Sequence, residues 1–399
     1  MHDANFEAWR RCRQRHFISP EKPFSFGEDR VILALFDMPS PSKKHRSEPV
    51  VAGFGLPAEW EKHAATWLTW PHNSNDWPGK FEIIPWVYGE MARMITRGEL
   101  IRLIVRHDKD KAIARQLFRD AGVDLRKIQF MVHPTNRGWT RDTGPIFVKS
   151  DNGSRKSARA IVDFHFNGWA KYEDWQKDAK IPEIAARRLR LPLVRAECQG
   201  HPFTVEGGGI EVNGRGTLLS TEECYLHPKI QVRNPGLGRA EIEAALKGYL
   251  GVRNIFWLAR GITGDDTHGH IDDLCRFVTP TTLVLVREPD VRDKNYRPLA
   301  ENWERIQDLR LEDGGRPEIV PLPMPSPLYF QGMRLPASYA NFYICNAGVI
   351  VPTFNDPQDR VALGILGELF RDRPVVGIHA VDLVWGLGSL HCLTQPEPA

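Results

Sequence analysis

The sequence predicts a mixed α/β fold in which short buried strands alternate with helices. The pattern is clearest from a strand over 65–70, through a helix over 85–98, to a strand over 100–106. Apolar runs of about 4–8 residues bounded by glycine, proline or aspartate indicate buried strands, whereas longer segments with a 3.6-residue period indicate helices. No Gly-x-Gly-x-x-Gly segment lies between a predicted strand and helix, which disfavours a dinucleotide-binding fold.

The same criteria place the remaining elements along the chain. A helix over 108–121 has Asp108 as its expected N-cap and Gly122 as its stop signal. The other predicted helices are 174–189, 239–250, 299–311 and 357–371, the last capped by Asp356. The other predicted strands are 128–132, 145–149, 158–165, a short one around Leu193, 210–212, 217–220, 255–258, 276–278, 283–287, 319–321, 342–345, 349–351 and 375–378.

A weak internal repeat underlies this alternation. A loop that combines a polar residue with glycine precedes a short apolar strand at five places. The loops are Asp142-Thr143-Gly144, Glu206-Gly207-Gly208, Gly269-His270-Ile271-Asp272, Asn346-Ala347-Gly348 and the segment at Gly388, which precedes a predicted strand over 390–393. The recurrence favours five similar units around one centre, each contributing its loop to a shared site.

The composition is that of an ordinary globular protein. The 399 residues are 42% hydrophobic and carry a formal net charge of +3, which gives no indication of a nucleic-acid partner. Six scattered cysteines form no Cys-x-x-Cys pair, which favours a reduced compartment. No apolar run approaches the roughly 20 residues that span a bilayer. We therefore expect a cytoplasmic protein without membrane contact.

The first 50 residues differ from the remainder of the chain. They combine scattered prolines with a charged stretch over 40–48 and show no sustained periodicity. Such a segment is expected to be a poorly ordered extension. We predict one catalytic domain over 51–399.

Histidines and carboxylates concentrate in one nine-residue segment. They are Asp265, Asp266, His268, His270, Asp272 and Asp273. Two histidines two residues apart can be metal ligands, but no His-Glu-x-x-His motif accompanies them. The expectation is that the protein needs neither a metal nor another cofactor.

A cationic substrate gives these acidic residues an alternative use. A guanidinium is planar, stays protonated at physiological pH and is matched by bidentate carboxylates. One charge pair at ~4 Å is worth about 4 kcal/mol at an effective dielectric of about 20, so two or three pairs could offset burial of the cation. The cation would also favour a thiolate at Cys392. The competing interpretations are structural, because free cysteines are often buried apolar residues and a loop aspartate such as Asp142 often forms a turn.

Five motifs taken together resemble the bacterial agmatine deiminase and peptidylarginine-deiminase-like family over about residues 51–397. They are Leu56-Pro57-Ala58-Glu59-Trp60-Glu61, Trp139-Thr140-Arg141-Asp142-Thr143-Gly144-Pro145, Glu206-Gly207-Gly208, Gly264-Asp265-Asp266-Thr267-His268-Gly269-His270-Ile271-Asp272 and Gly388-Ser389-Leu390-His391-Cys392-Leu393-Thr394-Gln395. The resemblance implies the pentein fold of the guanidino-group-modifying superfamily. That fold is a five-fold pseudosymmetric β/α propeller of ββαβ-type units, in agreement with the repeat.

The resemblance also implies a role for each site residue. Cys392 would be the nucleophile, and His270 would protonate the departing ammonia and then activate water. Asp142 and Asp272 would hold the guanidinium nitrogens, while Glu206 orients His270. Asp266 would line the same pocket, and Trp139, Trp77 and Asp76 would contact the alkyl chain or the far end of the substrate. The segment Gly386-Leu387-Gly388 departs from the family's all-glycine run, which bears on substrate identity rather than on the reaction.

The function that the resemblance implies is hydrolysis of agmatine to N-carbamoylputrescine and ammonia, a step of putrescine and polyamine biosynthesis. A deiminase of free or peptidyl arginine is the alternative, with Arg141 and Arg260 as candidates to receive a carboxylate. An amidinotransferase and a non-catalytic guanidino-binding protein are further alternatives on the same scaffold. The expected partner is a small molecule, and relatives in the family are often homodimers.

Overall fold

The computed structural model of the protein describes residues 53–150 and 158–399. The predicted extension over 1–50 therefore lies outside the described residues. None of the helices in the described ranges has the length and apolar character needed to cross a membrane.

The first sheet is built by parallel crossovers. β1 pairs in parallel with β2, and β2 pairs in parallel with β3. The elements in chain order are β1 (His63–Thr69), α1 (Ile84–Ile95), β2 (Leu100–Val105), α2 (Asp108–Asp120) and β3 (Ile128–Val132). Each helix forms the crossover connection between two parallel strands, as the mixed α/β prediction requires.

Within the described residues, four three-stranded sheets follow with one shared connectivity. In each, two antiparallel strands are followed by a helix and by a third strand that runs parallel to the second. In chain order they are β4 (Ile146–Ser150), β5 (Ala158–Asp163), α3 (Ile181–Leu189) and β6 (Leu193–Arg195); β7 (Glu211–Val212), β8 (Thr217–Thr221), α4 (Arg239–Leu250) and β9 (Asn254–Leu258); β10 (Cys275–Thr279), β11 (Thr282–Arg287), α5 (Tyr296–Ile306) and β12 (Glu318–Pro323); and β13 (Tyr343–Cys345), β14 (Gly348–Thr353), α6 (Pro357–Leu369) and β15 (Val375–His379). The weak sequence repeat is thus a repeat of ββαβ topology.

Short elements fill the connections between these units. Two-residue ladders join Glu197–Cys198 to His201–Pro202 and Tyr329–Phe330 to Met333–Arg334. The single helical turns are Thr140–Thr143 and Glu222–Tyr225, and the 3-10 turns are Phe81–Ile83, Leu125–Lys127, Asp178–Lys180, Gly207–Gly209, Ile271–Asp273 and Leu383–Gly386.

The end of the chain completes the first sheet, and here the sequence prediction is wrong. No strand forms over 390–393, because the Thr394 amide donates to the carbonyl of His391 at 3.0 Å and turns the chain. The strand is β16 (Gln395–Pro398), which pairs antiparallel with β1. Buried Glu397 fixes it by accepting from Trp67 Nε1 at 3.0 Å and from Arg102. The first sheet therefore also combines an antiparallel pair with a parallel crossover.

Three helix boundaries differ from the prediction for local reasons. The N-cap of α2 is His107 rather than Asp108, because the extended His107 accepts from the Asp110 amide at 3.2 Å. Helix α3 begins at residue 181 rather than 174, after a 3-10 turn and with proline in its first turn. Helix α5 begins at residue 296 rather than 299 and ends at residue 306 rather than 311. Asp356 does cap α6, as predicted, by accepting from the Gln358 amide at 2.9 Å.

Neighbouring sheets share an apolar core. Trp67 of β1 lies against Phe147 of β4 with ring centroids 6.4 Å apart, and Ile161 of β5 and Ile181 of α3 join the same cluster. All four side chains are at most 2% exposed. Burying a large apolar side chain contributes about 1.5–3 kcal/mol, so this contact holds the first two units together and fixes the loops at their ends.

Candidate active site

Polar side chains converge from the loops that precede the first strand of each unit. Asp142 precedes β4, Glu206 precedes β7, His270 and Asp272 precede β10, and Cys392 precedes β16. All five are at most 8% exposed. The structure therefore brings together the five residues that the sequence analysis predicts as catalytic.

The fifth unit contributes a residue that the sequence analysis missed. The loop Asn346-Ala347-Gly348 is the turn between β13 and β14, and Asn346 contacts His63 rather than the site. The contributing residue is Asn341, just before β13, whose Nδ2 donates to Cys392 Sγ at 3.2 Å. An asparagine without flanking glycines carries no sequence signal that separates it from a structural residue.

His270 lies at the centre of three carboxylates. Its Nε2 is 3.3 Å from Glu206 Oε2, whereas its Nδ1 is 3.9 Å from Asp142 Oδ1 and 4.0 Å from Asp272 Oδ1. The imidazole is 1% exposed. One side of the ring thus faces Glu206, and the other faces the two aspartates.

Asp272 connects the histidine to the cysteine. Its Oδ2 is 3.7 Å from Cys392 Sγ, while its Oδ1 has no hydrogen-bond partner among the described residues. A buried carboxylate oxygen without a donor costs free energy unless a ligand supplies one. The free oxygen lies on the side of Asp272 that faces His270, so a cationic donor would bind between histidine and thiol.

The other two carboxylates are held by neutral or cationic donors. Asp142 accepts from Trp169 Nε1 and from the Gly208 amide, both at 2.9 Å. Glu206 accepts from Arg233 Nε at 3.1 and 3.2 Å. These contacts fix both side chains in position, and neither Trp169 nor Arg233 was singled out from sequence.

Gly208 explains the glycine run that follows Glu206. A Cβ atom at this position would lie 2.5 Å from His270 Nδ1, 3.0 Å from Asp142 Oδ1 and 3.1 Å from Asp272 Oδ2. Only a residue without a side chain therefore lets the histidine and the two aspartates meet around this backbone.

The electrostatics of the site set the protonation of its two reactive groups. Burial raises the pKa of the Cys392 thiol well above its ordinary value, and the charges of Asp272, Asp273 and Asp142 raise it further. Burial acts to lower the pKa of His270, but the charge of Asp142 and the contacts with Cys224 and Glu206 raise it well above the ordinary value. Without a bound cation, the favoured state is a thiol beside an imidazolium.

The three carboxylates differ in their acidity. Burial raises the pKa of Asp142, and Glu206 and Asp272 add to this effect. Burial also acts to raise the pKa values of Asp272 and Glu206, yet both end below their ordinary values. The hydrogen bond from His391 is responsible at Asp272, and the charge of Arg233 is the main cause at Glu206. Asp272 and Glu206 are therefore ionised at neutral pH.

Glu59 connects segments of the chain that lie next to the candidate site residues. Its Oε2 accepts from Arg141 Nη2 at 2.7 Å and lies 2.8 Å from His391 Nε2, and its Oε1 accepts from Arg276 Nη2 at 2.8 Å. His391 Nδ1 in turn lies 2.7 Å from Asp272 Oδ2. Arg141, a candidate from the sequence for binding a substrate carboxylate, thus belongs to this network. Glu59 and His391 were not identified as site residues from the sequence.

Trp139 forms a wall beside the cysteine. A Cβ at Gly388 would lie 2.7 Å from the Trp139 ring and 3.2 Å from Cys392 Cβ, so this glycine allows both to approach. Trp77 packs behind Trp139 with centroids 5.2 Å apart and donates to the carbonyl of Leu383 at 2.8 Å. It is fully buried, and its contact with a substrate remains a prediction.

Leu387, which stands within the family's all-glycine run, affects the local backbone. Leu387 adopts φ +70°, in the left-handed region where glycine is favoured. An all-glycine run would meet this requirement without strain.

The two remaining predicted residues, Asp76 and Asp266, each have a basic neighbour. Asp76 accepts from Arg137 Nη1 at 2.5 Å, and Asp266 accepts from Lys171 Nζ at 2.8 Å and from the Tyr172 hydroxyl at 2.6 Å. Arg137 also lies over the Tyr172 ring, 4.4 Å from its centroid. The two acidic groups therefore belong to one partly buried cluster. Their contact with a substrate also remains a prediction.

Comparison with known proteins agrees with this arrangement. The profile of the Porphyromonas-type peptidyl-arginine deiminase family matches residues 55–398. The chain belongs to this family. An agmatine deiminase of Pseudomonas aeruginosa is 34% identical over 376 residues, covering 88% of this chain and 98% of that protein.

Solved structures of the deiminase family have the same fold. The agmatine deiminase of Enterococcus faecalis is 28% identical, with a TM-score of 0.79 over 90% of this chain and 99% of that one. A Porphyromonas gingivalis protein designated an arginine deiminase is 35% identical, with a TM-score of 0.75 over 86% of this chain and 98% of that one. The mixed α/β architecture of the family is thereby confirmed for this chain.

Proposed function

We propose that the protein hydrolyses agmatine to N-carbamoylputrescine and ammonia through a covalent amidino intermediate on Cys392. The observation that carries this proposal is Oδ1 of Asp272, which accepts no hydrogen bond from the described residues and is buried beside both His270 and Cys392. A planar, permanently charged donor is the group that such a carboxylate accepts.

The guanidinium would bind between Asp142 and Asp272. The positive charge would offset the two carboxylate charges and lower the pKa of the Cys392 thiol, which the same carboxylates hold high in the free enzyme. The thiol then loses its proton to solvent only when substrate is bound and regains a proton when the products leave, which protects the nucleophile from side reactions. Trp139 would pack along the alkyl chain.

In the first half-reaction, the Cys392 thiolate attacks the guanidinium carbon and forms a C–S bond. The resulting tetrahedral adduct expels one nitrogen as ammonia, and the imidazolium of His270 supplies the proton that this nitrogen needs. The products are free ammonia, a cationic amidino-thioether on Cys392 and a neutral His270. Glu206 keeps the imidazole oriented throughout, because its carboxylate contacts the opposite ring nitrogen.

In the second half-reaction, neutral His270 takes a proton from water as the water oxygen attacks the amidino carbon. The new adduct collapses to a ureido group, the C–S bond breaks, and Cys392 leaves as the thiolate. The proton released in this collapse is taken up by ammonia, so the sum is guanidinium plus water giving the ureido product and ammonium. His270 ends protonated, ready for the next turnover.

Two observations support agmatine over arginine as the substrate. The Pseudomonas aeruginosa and Enterococcus faecalis relatives, which cover 88% and 90% of this chain, are agmatine deiminases. Arg141, a candidate to receive the substrate carboxylate of arginine, is 7% exposed and bound to Glu59 and to the carbonyl of His391. Asp76 and Asp266 would then receive the distal amine of agmatine while also accepting from Arg137 and Lys171.

Ammonia release tests the proposal. Wild type and Cys392→Ala would be assayed with agmatine, free arginine and an arginyl peptide, and we expect release from agmatine alone and none from the variant. Release only from arginine or the peptide would move the substrate assignment to the alternative. Transfer of the amidino group to a labelled amine would indicate an amidinotransferase. Tight agmatine binding without ammonia would indicate a binding protein.

We further propose that the five ββαβ units are arranged as a pentein propeller, with residues 51–399 forming one catalytic domain. The shared connectivity of the sheets and the convergence of their loops support this arrangement. Deletion of residues 1–50 should leave turnover unchanged; a sharply reduced kcat in the truncated protein would contradict the boundary.

Homodimer formation and a cytoplasmic location are also proposals. The family resemblance supports the first, and the scattered cysteines, free in the part of the chain that the structure describes, support the second. Analytical ultracentrifugation and cell fractionation would test them.

A further inference from the structure

A third ligand-type side chain meets the pair formed by His270 and Glu206. Cys224 Sγ lies 4.0 Å from Glu206 Oε2, and His270 Nε2 lies 3.3 Å from the same oxygen. The three ligand atoms are all within 4.8 Å of one another, and each residue is at most 1% exposed. We propose that Glu206, Cys224 and His270 bind a thiophilic divalent cation of the Zn²⁺ type, which inhibits the enzyme reversibly.

The ligand set and its spacing suit such an ion. Thiolate, imidazole and carboxylate are the three ligand classes of protein-bound zinc, at about 2.0–2.3 Å from the metal. In a tetrahedral site these bond lengths place ligand atoms roughly 3.3–3.6 Å apart. The oxygen-to-nitrogen distance of 3.3 Å already meets this value. The sulfur lies 4.0 Å from the oxygen and within 4.8 Å of the nitrogen, so it would have to move toward both on binding.

The cluster is built by hydrogen bonds that tie its three loops together. Thr221 Oγ1 accepts from the Cys224 amide at 3.0 Å and donates to the carbonyl of Gly269, next to His270. The Tyr225 hydroxyl accepts from the Glu206 amide at 2.9 Å and contacts the Glu206 carbonyl at 3.2 Å. The helical turn that carries Cys224 is therefore held against the loops of Glu206 and His270. The three side chains are kept close to one another before any ion binds.

Charge balance permits the ion to bind next to Arg233. Before binding, the cluster contains the carboxylate of Glu206, the guanidinium of Arg233, the Cys224 thiol and the His270 imidazolium. Zn²⁺ would displace the thiol proton and the Nε2 proton, so two positive charges leave as two arrive. Arg233 Nε donates to Glu206 Oε1 at 3.1 Å and to Oε2 at 3.2 Å, and it would keep the first hydrogen bond and give up the second when Oε2 binds the ion.

Inhibition would follow from the two sides of the His270 ring. The ion would occupy Nε2 and hold the remaining proton on Nδ1, the nitrogen that faces Asp142 and Asp272. The imidazole could then no longer alternate between acid and base. This consequence rests on the proposed function, whereas the binding of the ion does not.

Cadmium binding tests the site without any turnover. The Cys392→Ala protein, which lacks the nucleophile, would be titrated with Cd²⁺ while the ultraviolet thiolate-to-cadmium absorbance is recorded. We expect one equivalent to bind. The signal should disappear when Cys224→Ser is introduced as a second substitution, and it should persist when the second substitution is Cys345→Ser, because Cys345 is a buried cysteine outside the cluster. A signal that survives Cys224→Ser would overturn the proposal, as would the absence of any signal in the parent protein. The titration is repeated with Cys224→Ala, and the thermal unfolding midpoints of both Cys224 variants are measured. A folding defect of the serine variant would appear as a lowered midpoint.

Zinc inhibition tests the consequence. With Cys392 intact, Zn²⁺ should inhibit ammonia release, and Cys224→Ser should raise the inhibitory concentration at least tenfold, each protein being compared with its own rate without zinc. Equal inhibition of both proteins would place the inhibitory zinc at Cys392 instead. If the wild type shows no deimination at all, the proposed function fails, and the cadmium titration still decides the site.

Discussion

The imidazole Nδ1 of His391 lies 2.7 Å from Asp272 Oδ2, so the residue before the proposed nucleophile holds the carboxylate beside it. The other ring nitrogen of His391 lies 2.8 Å from Glu59. Both ring nitrogens of His391 therefore face a carboxylate oxygen within hydrogen-bonding distance. The pair therefore keeps Asp272 ionised and aims its free oxygen at the position proposed for the substrate.

Replacing Glu59 should destabilise the whole protein. Glu59→Gln keeps the shape of the side chain but leaves Arg141 and Arg276 buried without their shared carboxylate. Removing one partner of a buried ion pair costs about 3–5 kcal/mol of unfolding free energy. Glu61→Gln is the matched control, because its bridge to Lys149 at 2.9 Å is partly exposed and worth about 0–1 kcal/mol. Equal unfolding midpoints in urea for the two variants would contradict this ranking.

The stabilisation by Glu59 should depend on pH with a defined sign. Burial acts to raise the pKa of Glu59, but His391, Arg276 and Arg141 lower it well below its ordinary value. A lowered folded-state pKa gives stability that is fully present above the unfolded pKa of about 4.3 and is lost as the pH falls through the folded value. The difference in unfolding free energy between wild type and Glu59→Gln should therefore be largest at neutral pH and shrink below pH ~4.

The sequence indicated the residues proposed as catalytic because they lie in loops whose glycines have a physical cause. Gly208 and Gly388 are required by close approach, and such runs are visible without a structure. The supporting residues had no comparable signal. Glu59 and His391 are 332 positions apart, and only the packing of different units makes them neighbours.

The fold was predictable to a similar degree. Strands that are buried apolar runs, such as β2 and β11, agree with their predicted positions within about a residue. Strand β16 was missed because its sequence, Gln395-Pro396-Glu397-Pro398, has no apolar run. It is a strand because buried Glu397 meets Trp67 and Arg102, which are tertiary contacts that override local propensity.

The reactivity of Cys392 should reveal its raised pKa. Burial and the charge of Asp272 keep the thiol protonated, so alkylation by iodoacetamide should be slow at pH 7 and accelerate as the pH rises beyond 9. Asp272→Asn removes a charge that raises this pKa, so alkylation at pH 7 should become about tenfold faster for each unit of decrease, although deimination is lost. Mass spectrometry would locate the modification.

Asp273→Asn provides the control for that experiment. Burial, with Asp272 and Asp265, raises the pKa of Asp273 well above its ordinary value, whereas the pKa of Asp272 is lowered, so Asp273 carries less charge than Asp272. Replacement of Asp273 should accelerate the alkylation of Cys392 less than Asp272→Asn does, because Asp272 is the larger of the two electrostatic causes of the raised thiol pKa. An equal acceleration in both variants would mean that altered access, rather than charge, controls the thiol.

Filling the space at Gly208 should abolish turnover with little unfolding. The added methyl of Gly208→Ala would meet His270 Nδ1 at 2.5 Å and displace it from the two aspartates. A misplacement of about 1 Å at a reacting group can reduce the rate about 100-fold. Gly364→Ala, in α6 with no atom within 4 Å of the added methyl, should leave kcat unchanged. A kcat of Gly208→Ala within threefold of wild type would exclude the proposed arrangement of His270.

Trp139 should determine substrate affinity more than chemistry. Its indole stands beside Cys392 and is 6% exposed, so it is placed to cover the four methylenes of agmatine. Each buried methylene contributes about 0.8 kcal/mol, and loss of part of this contact in Trp139→Phe should raise KM about 5- to 50-fold with a smaller change in kcat. Trp86→Phe, on the exposed face of α1, is the control and should alter neither constant. A fall in kcat at unchanged KM would instead mean that Trp139 positions Cys392, because both approach the same glycine, Gly388.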